Sequence, residues 1–143
     1  MRVAAIDLGS RRIGVAVSDG SGTLATPRCT VERSGDPEAD RARVVAVVLE
    51  AEARHLVVGL PLSLDGRRRA AAQAAEEEAA ALRALLAPQG VGVETFDERL
   101  TTVTAERSLV ASGHSGRKRR TVVDQAAAAV LLQAWLDAGH APR

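Results

Sequence analysis

The sequence predicts an α/β fold in which helices cover both faces of a five-stranded mixed sheet. Near the amino terminus, two strand-like runs are joined by a short segment containing Gly9, which is typical of a β-hairpin. Farther along, two more strand-like runs each follow a helix-like segment, as in parallel β/α units. An antiparallel start followed by two such units predicts the strand order 3-2-1-4-5. The length of 143 residues fits one domain, which we place at residues 1–143.

The first three strands are predicted from the pattern of apolar residues. The first run is almost entirely apolar and ends at Asp7. In the second run, residues 12–18, large and small side chains alternate, so this strand has one face of large residues. Residues 23–31 form a third strand, and Pro27 either puts it at the edge of the sheet or breaks it.

The remaining elements alternate between helices and strands. A helix begins at Asp36, with Pro37 in its first turn, and extends to about Arg54. The later elements are a strand at 55–60, a helix at 69–86, a strand at 91–96, a short helix from Thr101 or Thr102 to Ser112 and a last helix at 121–136.

The composition excludes several classes of protein. Apolar residues make up 46% of the chain, so it is globular rather than disordered. The single cysteine, Cys29, excludes an intrachain disulfide and a cysteine-rich zinc site. No apolar run approaches the roughly 20 residues of a membrane span, and the amino terminus has no signal-peptide pattern. We therefore expect a soluble cytoplasmic protein with no membrane contact.

Asp7 is a candidate functional residue, because a charge at the end of an apolar strand is costly unless it is paired or binds a cation. An Asp followed by Leu8 and Gly9 at this place resembles two groups of proteins. In ribonuclease H-like nucleases the aspartate binds catalytic metal, whereas in actin-like kinases the turn binds nucleotide phosphates. The chain is too short for the two lobes of a kinase, which weakens the second interpretation. A third interpretation is that Asp7 only caps the turn.

Acidic residues end or begin three of the predicted apolar elements. Asp7 ends the first strand, Asp97 and Glu98 end the fifth, and Asp124 lies at the start of the last helix. Because the carboxyl ends of parallel strands share one edge, we expect these carboxylates to approach one another there. Grouped carboxylates suit Mg²⁺ or Mn²⁺, and a pair of such ions stabilises the attacking and leaving oxygens in phosphodiester hydrolysis.

The pattern leaves alternatives at two of these positions. Thr121 and Asp124 have the spacing of a capping box, so a helix-start role for Asp124 is the alternative, although capping and metal binding are compatible. Asp97 and Glu98 are neighbours in a strand and therefore point to opposite faces, so one of them faces the site. Spacing alone does not choose between them.

Two basic clusters adjoin the proposed site. With a net charge of +1, attraction to a polyanion must come from such clustering. Basic runs are often only a solvated face, but two of them beside three carboxylates favour contacts with nucleic-acid phosphates. The predicted nucleic-acid-binding residues lie in the two loops that flank the site: Arg67, Arg68, Arg69, Arg117, Lys118, Arg119 and Arg120.

Four blocks of the chain resemble one known family, in the same order and from end to end. They are DLGSRRIGVAVSD at 7–19, VGLPLSLDG at 58–66, DERLTT at 97–102 and DQAAAAVLLQ at 124–133. The chain is identified on these blocks as similar to the YqgF family, also called RuvX. One departure is Ser63, where the family often has Asn; it affects no proposed ligand.

The resemblance implies a ribonuclease H-like fold and a metal-dependent nuclease of the bacterial cytoplasm. By block, the acidic site of the family corresponds to Asp7, Glu98 and Asp124, and it favours Glu98 over Asp97. The implied function is maturation of the 5′ end of 16S rRNA, with resolution of Holliday junctions in branched DNA as the alternative. We expect a monomer or a weak homodimer. A non-catalytic nucleic-acid-binding module is the alternative of another class, and loss of acidic residues would mark it.

Overall fold

The computed structural model describes residues 1–61, 66–98 and 116–140, with side chains described for 1–61, 69–98 and 125–139. The elements follow the predicted order. They are β1 (Arg2–Leu8), β2 (Arg12–Ser18), β3 (Ala25–Glu32), α1 (Pro37–Glu50), β4 (Ala53–Leu60), α2 (Gly66–Leu86), a 3₁₀ turn (Ala87–Gln89), β5 (Gly92–Asp97), α3 (Gly116–Trp135) and a closing π-type turn (Leu136–His140). The short helix predicted at 101–112 lies outside the described residues.

The five strands form one mixed sheet in the order β3-β2-β1-β4-β5, which confirms the predicted topology. β1, β2 and β3 pair antiparallel, whereas β4 pairs parallel with both β1 and β5. Pro27 lies in the edge strand β3, at a place where its register with β2 shifts. This position suits proline, because the residue lacks the N–H that an inner strand needs.

Two apolar cores hold the helices against opposite faces of the sheet. On one face, Val44 and Val48 of α1 and Leu82 of α2 pack against Ile6 and other residues at alternate positions of the inner strands. On the other face the core is made by residues of α3 and the remaining alternate positions: Val3, Ala5, Ala16, Val57, Phe96, Ala128, Leu131, Leu132, Trp135 and Leu136. The second face is the one that carries Asp7, since side chains in a strand alternate between faces.

The long helices α2 and α3 both begin toward the sheet edge at which β1, β4 and β5 end. At the opposite edge, Arg83 near the end of α2 donates hydrogen bonds to the carbonyl oxygen of Val93 in β5. Trp135 at the end of α3 stacks on His55 near the start of β4, with ring centroids 5.2 Å apart. No helix among the described residues is long and apolar enough to cross a membrane.

Three helix boundaries differ from the sequence prediction. Helix α1 ends at Glu50 rather than near Arg54, because the chain reverses at Glu52, which has φ of 58°. Helix α2 begins at Gly66 instead of residue 69, and α3 begins at Gly116 instead of residue 121. As a consequence, both basic clusters lie in the first turns of helices, and their predicted placement in loops is wrong.

Candidate functional site

Asp7 and Glu98 meet on one face of the sheet, at its carboxyl edge. Ile6 of β1 is paired with Val58 of β4, which puts Asp7 beside Gly59, and Gly59 is paired with Phe96 of β5. Glu98 follows Phe96 by two residues. Its carboxylate reaches back across β4 and shares a hydrogen bond with the carboxyl group of Asp7. Two acidic side chains from separate strands are thus brought together.

Gly59 provides the space in which Glu98 lies. A methyl group placed on Gly59 would be 2.5 Å from Oε1 of Glu98 and 3.2 Å from its Cγ. The same methyl group would be 3.1 Å from Cδ2 of Leu131, so α3 also approaches the backbone here. Any side chain larger than hydrogen would therefore displace the Glu98 carboxylate from its position over β4.

The pKa of Asp7 is raised from 3.8 to about 8. Burial is the largest cause, followed by the hydrogen bond with Glu98 and by repulsion from the Glu98 charge. None of the ion pairs among the described residues involves Asp7. Without a cation, Asp7 therefore favours its protonated form and donates that proton to the Glu98 carboxylate, because burial and the neighbouring Glu98 charge both disfavour a second charge there.

The structure shows which of Asp97 and Glu98 faces Asp7, a choice that spacing in the sequence left open. Asp97 is the last residue of β5 and pairs with Leu60. Because Phe96 belongs to the core on the side of α3, alternation directs Asp97 to the opposite face. Glu98 is therefore the residue that faces Asp7.

Asp124 lies inside α3 and not at its start. The helix begins eight residues earlier, at Gly116, so the predicted alternative of a helix-start cap is wrong. Asp124 precedes Leu131 by seven residues, about two helical turns on the same side of the helix. Leu131 lies against Gly59, and α3 runs from there toward the carboxyl edge. The side chain of Asp124 is outside the described ones.

The donor set of the site is suited to a hard divalent cation. Asp7 and Glu98 present carboxylate oxygens, the ligands that Mg²⁺ and Mn²⁺ prefer. Burial is the main reason that the pKa of Asp7 is raised, and repulsion from Glu98 adds to it; a bound cation would offset both effects by stabilising the charged carboxylates. Among the described side chains, no three His, Cys, Asp or Glu residues converge on one point. The pair accordingly needs further ligands from elsewhere in the chain or from water.

The predicted basic residues lie at the starts of two helices. Arg67, Arg68 and Arg69 are in the first turn of α2, and the side chain of Arg69 is exposed. Residues 117–120 are in the first turns of α3. Both helices begin toward the carboxyl edge, and they cover opposite faces of the sheet. The other side chains of the clusters are outside the described ones.

Sequence reasoning did not identify Gly59 as part of the site. Gly59 has no side chain in an otherwise apolar strand, and such a glycine indicates close approach by another group. That signal was present in the run His55-Leu-Val-Val-Gly-Leu60. What approaches it, however, is visible only once β5 is placed beside β4.

Proteins of similar sequence are known from several bacteria. A protein of Rhodococcus opacus named "Putative pre-16S rRNA nuclease" is 52% identical over 135 residues, which cover 92% of this chain and 75% of that protein. A Myxococcus xanthus protein of the same name is 46% identical over 142 residues, covering 99% of this chain and 91% of the relative.

Two structures solved with Holliday junctions share the fold. Fowlpox virus resolvase, solved with Holliday junction DNA, superposes with a TM-score of 0.58 at 8% identity, covering 96% of this chain and 98% of that one. RuvC of Thermus thermophilus, solved with a Holliday junction substrate, gives 0.56 at 15% identity, covering 99% and 96%. At such identities the likeness concerns the fold alone. Residues 1–138 match the sequence profile of RuvX, described as "Holliday junction resolvase", and this chain therefore belongs to the RuvX family, a family of nucleases.

Proposed function

We propose that this protein is a metal-dependent nuclease that matures the 5′ end of pre-16S rRNA in the cytoplasm. The observation that carries the proposal is the meeting of the Asp7 and Glu98 carboxylates at the carboxyl edge of the sheet. Open α/β sheets place their ligands at this edge. The names of the bacterial relatives supply the RNA substrate.

In this proposal Asp7, Glu98 and Asp124 hold one or two Mg²⁺ or Mn²⁺ ions. Asp7 and Glu98 are the described members of the set, and Asp124 is supported by its register on α3, two turns before Leu131. Bound divalent ions would supply the positive charge that stabilises the attacking and leaving oxygens of a phosphodiester. The chain itself fixes its two carboxylates at the ends of β1 and β5, on either side of β4, where the backbone gives them little freedom.

The basic starts of α2 and α3 are proposed to hold the substrate. The residues concerned are Arg67, Arg68 and Arg69 in α2 and Arg117, Lys118, Arg119 and Arg120 in α3. Cationic side chains on either side of the acidic pair would bind phosphates and position the strand without reading its sequence. We propose a monomer or a weak homodimer as the working form.

A cleavage assay with two substrates tests the proposal. Purified protein is incubated with pre-16S rRNA and with a four-way DNA junction, each with Mg²⁺, with Mn²⁺ and with a chelator. We expect shortening of the rRNA at its 5′ end only when a divalent ion is present. The control variant is Glu76→Gln, which removes an exposed carboxylate of α2 far from the acidic pair and should cleave like the parent protein.

Resolution of Holliday junctions is the second candidate, because the family profile carries that description and two proteins solved with Holliday junctions share the fold. Metal-dependent cleavage of the junction with intact rRNA would favour it. Binding of either substrate without cleavage under any condition would refute both enzymatic functions and support a nucleic-acid-binding module.

A further inference from the structure

A basic groove lies at the carboxyl edge of the sheet, the edge at which the Asp7–Glu98 pair also lies. It has a volume of about 490 Å³ and is bounded by the turn between β1 and β2, by Glu32 and Arg33 at the end of β3, and by the start of α1. In the order β3-β2-β1, the end of β3 is two strand spacings from Asp7, about 10 Å along the edge. The groove includes Pro37 and Asp40 of α1, the helix that covers the face opposite Asp7.

The arginines of the groove are partly committed to internal contacts. Arg12 donates from Nε to Oε1 of Glu32 at 3.1 Å, so these two charges compensate each other. Arg33 donates from Nε to the carbonyl oxygen of Gly9 at 2.7 Å, a contact that leaves its charge uncompensated. The side chain of Arg11 is exposed and makes no hydrogen bond or ion pair within the described part of the chain.

The acidic side chains of the groove are already paired. Glu32 binds Arg12, and Asp40 accepts hydrogen bonds from Arg43 and from the backbone and hydroxyl groups of Ser34. Two guanidinium charges, those of Arg11 and Arg33, therefore remain without a carboxylate partner among the described residues. The groove attracts anions despite the nearly neutral charge of the whole chain.

The chemistry of the groove fits a phosphodiester backbone. Guanidinium groups bind phosphate oxygens through two parallel N–H donors, and Arg33 is held in place by its contact with Gly9. The turn between β1 and β2, which contains Gly9, is also bonded to the end of β1, since the backbone N–H of Gly9 donates to the carbonyl oxygen of Asp7. The spacing of about 10 Å along the edge, to which the step between the two faces adds, corresponds to at least roughly three nucleotide steps along a duplex strand.

We propose that this groove binds the nucleic-acid backbone a few nucleotides from the position that is cleaved. The proposal deepens the proposed nuclease function and rests on it for the identity of the ligand. Arg11 and Arg33 are its phosphate-binding residues, and they are additional to the clusters that begin α2 and α3.

Binding measurements without metal test the groove separately from cleavage. Fluorescence anisotropy is recorded in chelator with a labelled 5′ fragment of pre-16S rRNA and with a four-way DNA junction, over a range of salt concentrations. The variants are Arg11→Gln and the double variant Arg11→Gln/Arg33→Gln. The control is Arg54→Gln, which removes an exposed arginine at the start of β4, on the opposite edge of the sheet.

For Arg11→Gln we expect binding that is weaker by about five- to tenfold, the size of effect typical for removal of one exposed hydrogen bond. The slope of log affinity against log salt should fall by about 0.9 on a duplex and 0.7 on a single strand for each phosphate that the variant no longer binds. The double variant should change the slope about twice as much, and Arg54→Gln should bind like the parent. Weaker binding of both substrates indicates that the groove contacts the phosphate backbone of RNA and DNA alike. Weaker binding of only one substrate identifies that nucleic acid as the ligand of the groove.

Unchanged affinity and salt slope in both variants, on both substrates, overturn the groove proposal even if the enzyme cleaves rRNA. Weaker binding by the variants of a protein that cleaves nothing supports the groove and removes the nuclease function. Because the contact between Arg33 and Gly9 also supports the turn, thermal unfolding of the double variant is recorded. The single variant Arg11→Gln, which breaks no hydrogen bond or ion pair among the described residues, decides the outcome if the double variant is destabilised.

Discussion

Asp7 and Asp40 are both aspartates at half-buried or buried places near one edge of the sheet, yet their surroundings differ. Asp40 is 4% exposed, and it accepts hydrogen bonds from Ser34 and from Arg43, which hold its pKa below the usual value. Asp7 faces another carboxylate, and its pKa rises to about 8. Hydrogen bonds and a nearby arginine stabilise the charged carboxylate of Asp40. The carboxylate of Asp7 has no such compensating charge among the described residues, and a bound cation would supply it. Asp40 is thus an acid whose charge the fold stabilises, and Asp7 is one whose charge the fold disfavours.

The largest effect is expected from Asp7→Asn, which keeps the shape of the side chain and removes its charge. Cleavage should fall by at least about 100-fold, because loss of a metal ligand removes several kcal/mol of transition-state stabilisation. Mn²⁺ affinity, measured by calorimetry, should fall with it, while the far-ultraviolet spectrum stays unchanged. Undiminished cleavage of pre-16S rRNA by the pure variant would place the activity elsewhere. Glu98→Gln and Asp124→Asn should act in the same direction with smaller losses.

Gly59→Ala should reduce cleavage by about ten- to 100-fold, since a displacement of about 1 Å at a catalytic group has such effects. The added methyl group conflicts mainly with the end of the flexible Glu98 side chain, so the fold should tolerate it. Thermal unfolding and steady-state cleavage are measured together. The matched control is Gly20→Ala, where an added methyl group meets no atom within 4 Å. Equal activity of the two variants would show that the position of Glu98 does not matter.

The stability of the metal-free protein should depend on pH through Asp7. The pKa of its carboxyl group is about 8 in the folded protein and 3.8 without the fold, so the folded state keeps a proton that the unfolded state loses. Its contribution to stability is complete below about pH 4 and is lost as pH rises to about 8, by up to about 1.4 kcal/mol per pH unit. Urea unfolding of the parent and of Asp7→Asn, at several pH values in this window, measures it. Parallel pH profiles of the two proteins would contradict the assignment.

Asp40→Asn should lower stability and have the smallest effect on cleavage, the opposite of what is expected for Asp7→Asn. The variant keeps the size of the side chain but weakens its bonds to Ser34 and Arg43, so the thermal midpoint should fall. Cleavage per folded molecule should remain at the parent level. A loss of cleavage with an unchanged thermal midpoint would mean that Asp40 belongs to the functional site after all.

The sequence predicted the sheet correctly because its signals were local and consistent. The hairpin at Asp7, the edge position of Pro27 and the β/α order each depend on neighbouring residues, and together they determine the strand order. The approach of acidic residues to one edge followed from that order. The choice of Glu98 came from the resemblance to the family, and the structure shows why: Phe96 occupies the α3 face and so directs Glu98 to Asp7.

The predicted helix boundaries were wrong where the residues that begin or end the helix are not those usually found at helix ends. The sequence has no glycine at position 52, and Glu52 takes the left-handed conformation that ends α1. Helix α3 begins with Gly116 and basic residues, which oppose the helix dipole, so the rules favoured a later start at Thr121. The role of Gly59 depends on Glu98, about 40 residues away in the chain, and no local pattern contains it.

Helix α3 is anchored at its carboxyl-terminal end, at the edge of the sheet opposite the Asp7–Glu98 pair. Trp135, stacked on His55, and Gln133, bonded to Thr23 and Ala25, fasten the helix at the edge opposite the site. Asp124 is about 14 Å along the helix from Gln133, so a tilt of about 5° about this end moves it by about 1 Å. Small errors of packing around Trp135 are thus magnified at the position of Asp124. We expect conservative core substitutions there to cost cleavage well before they cost stability.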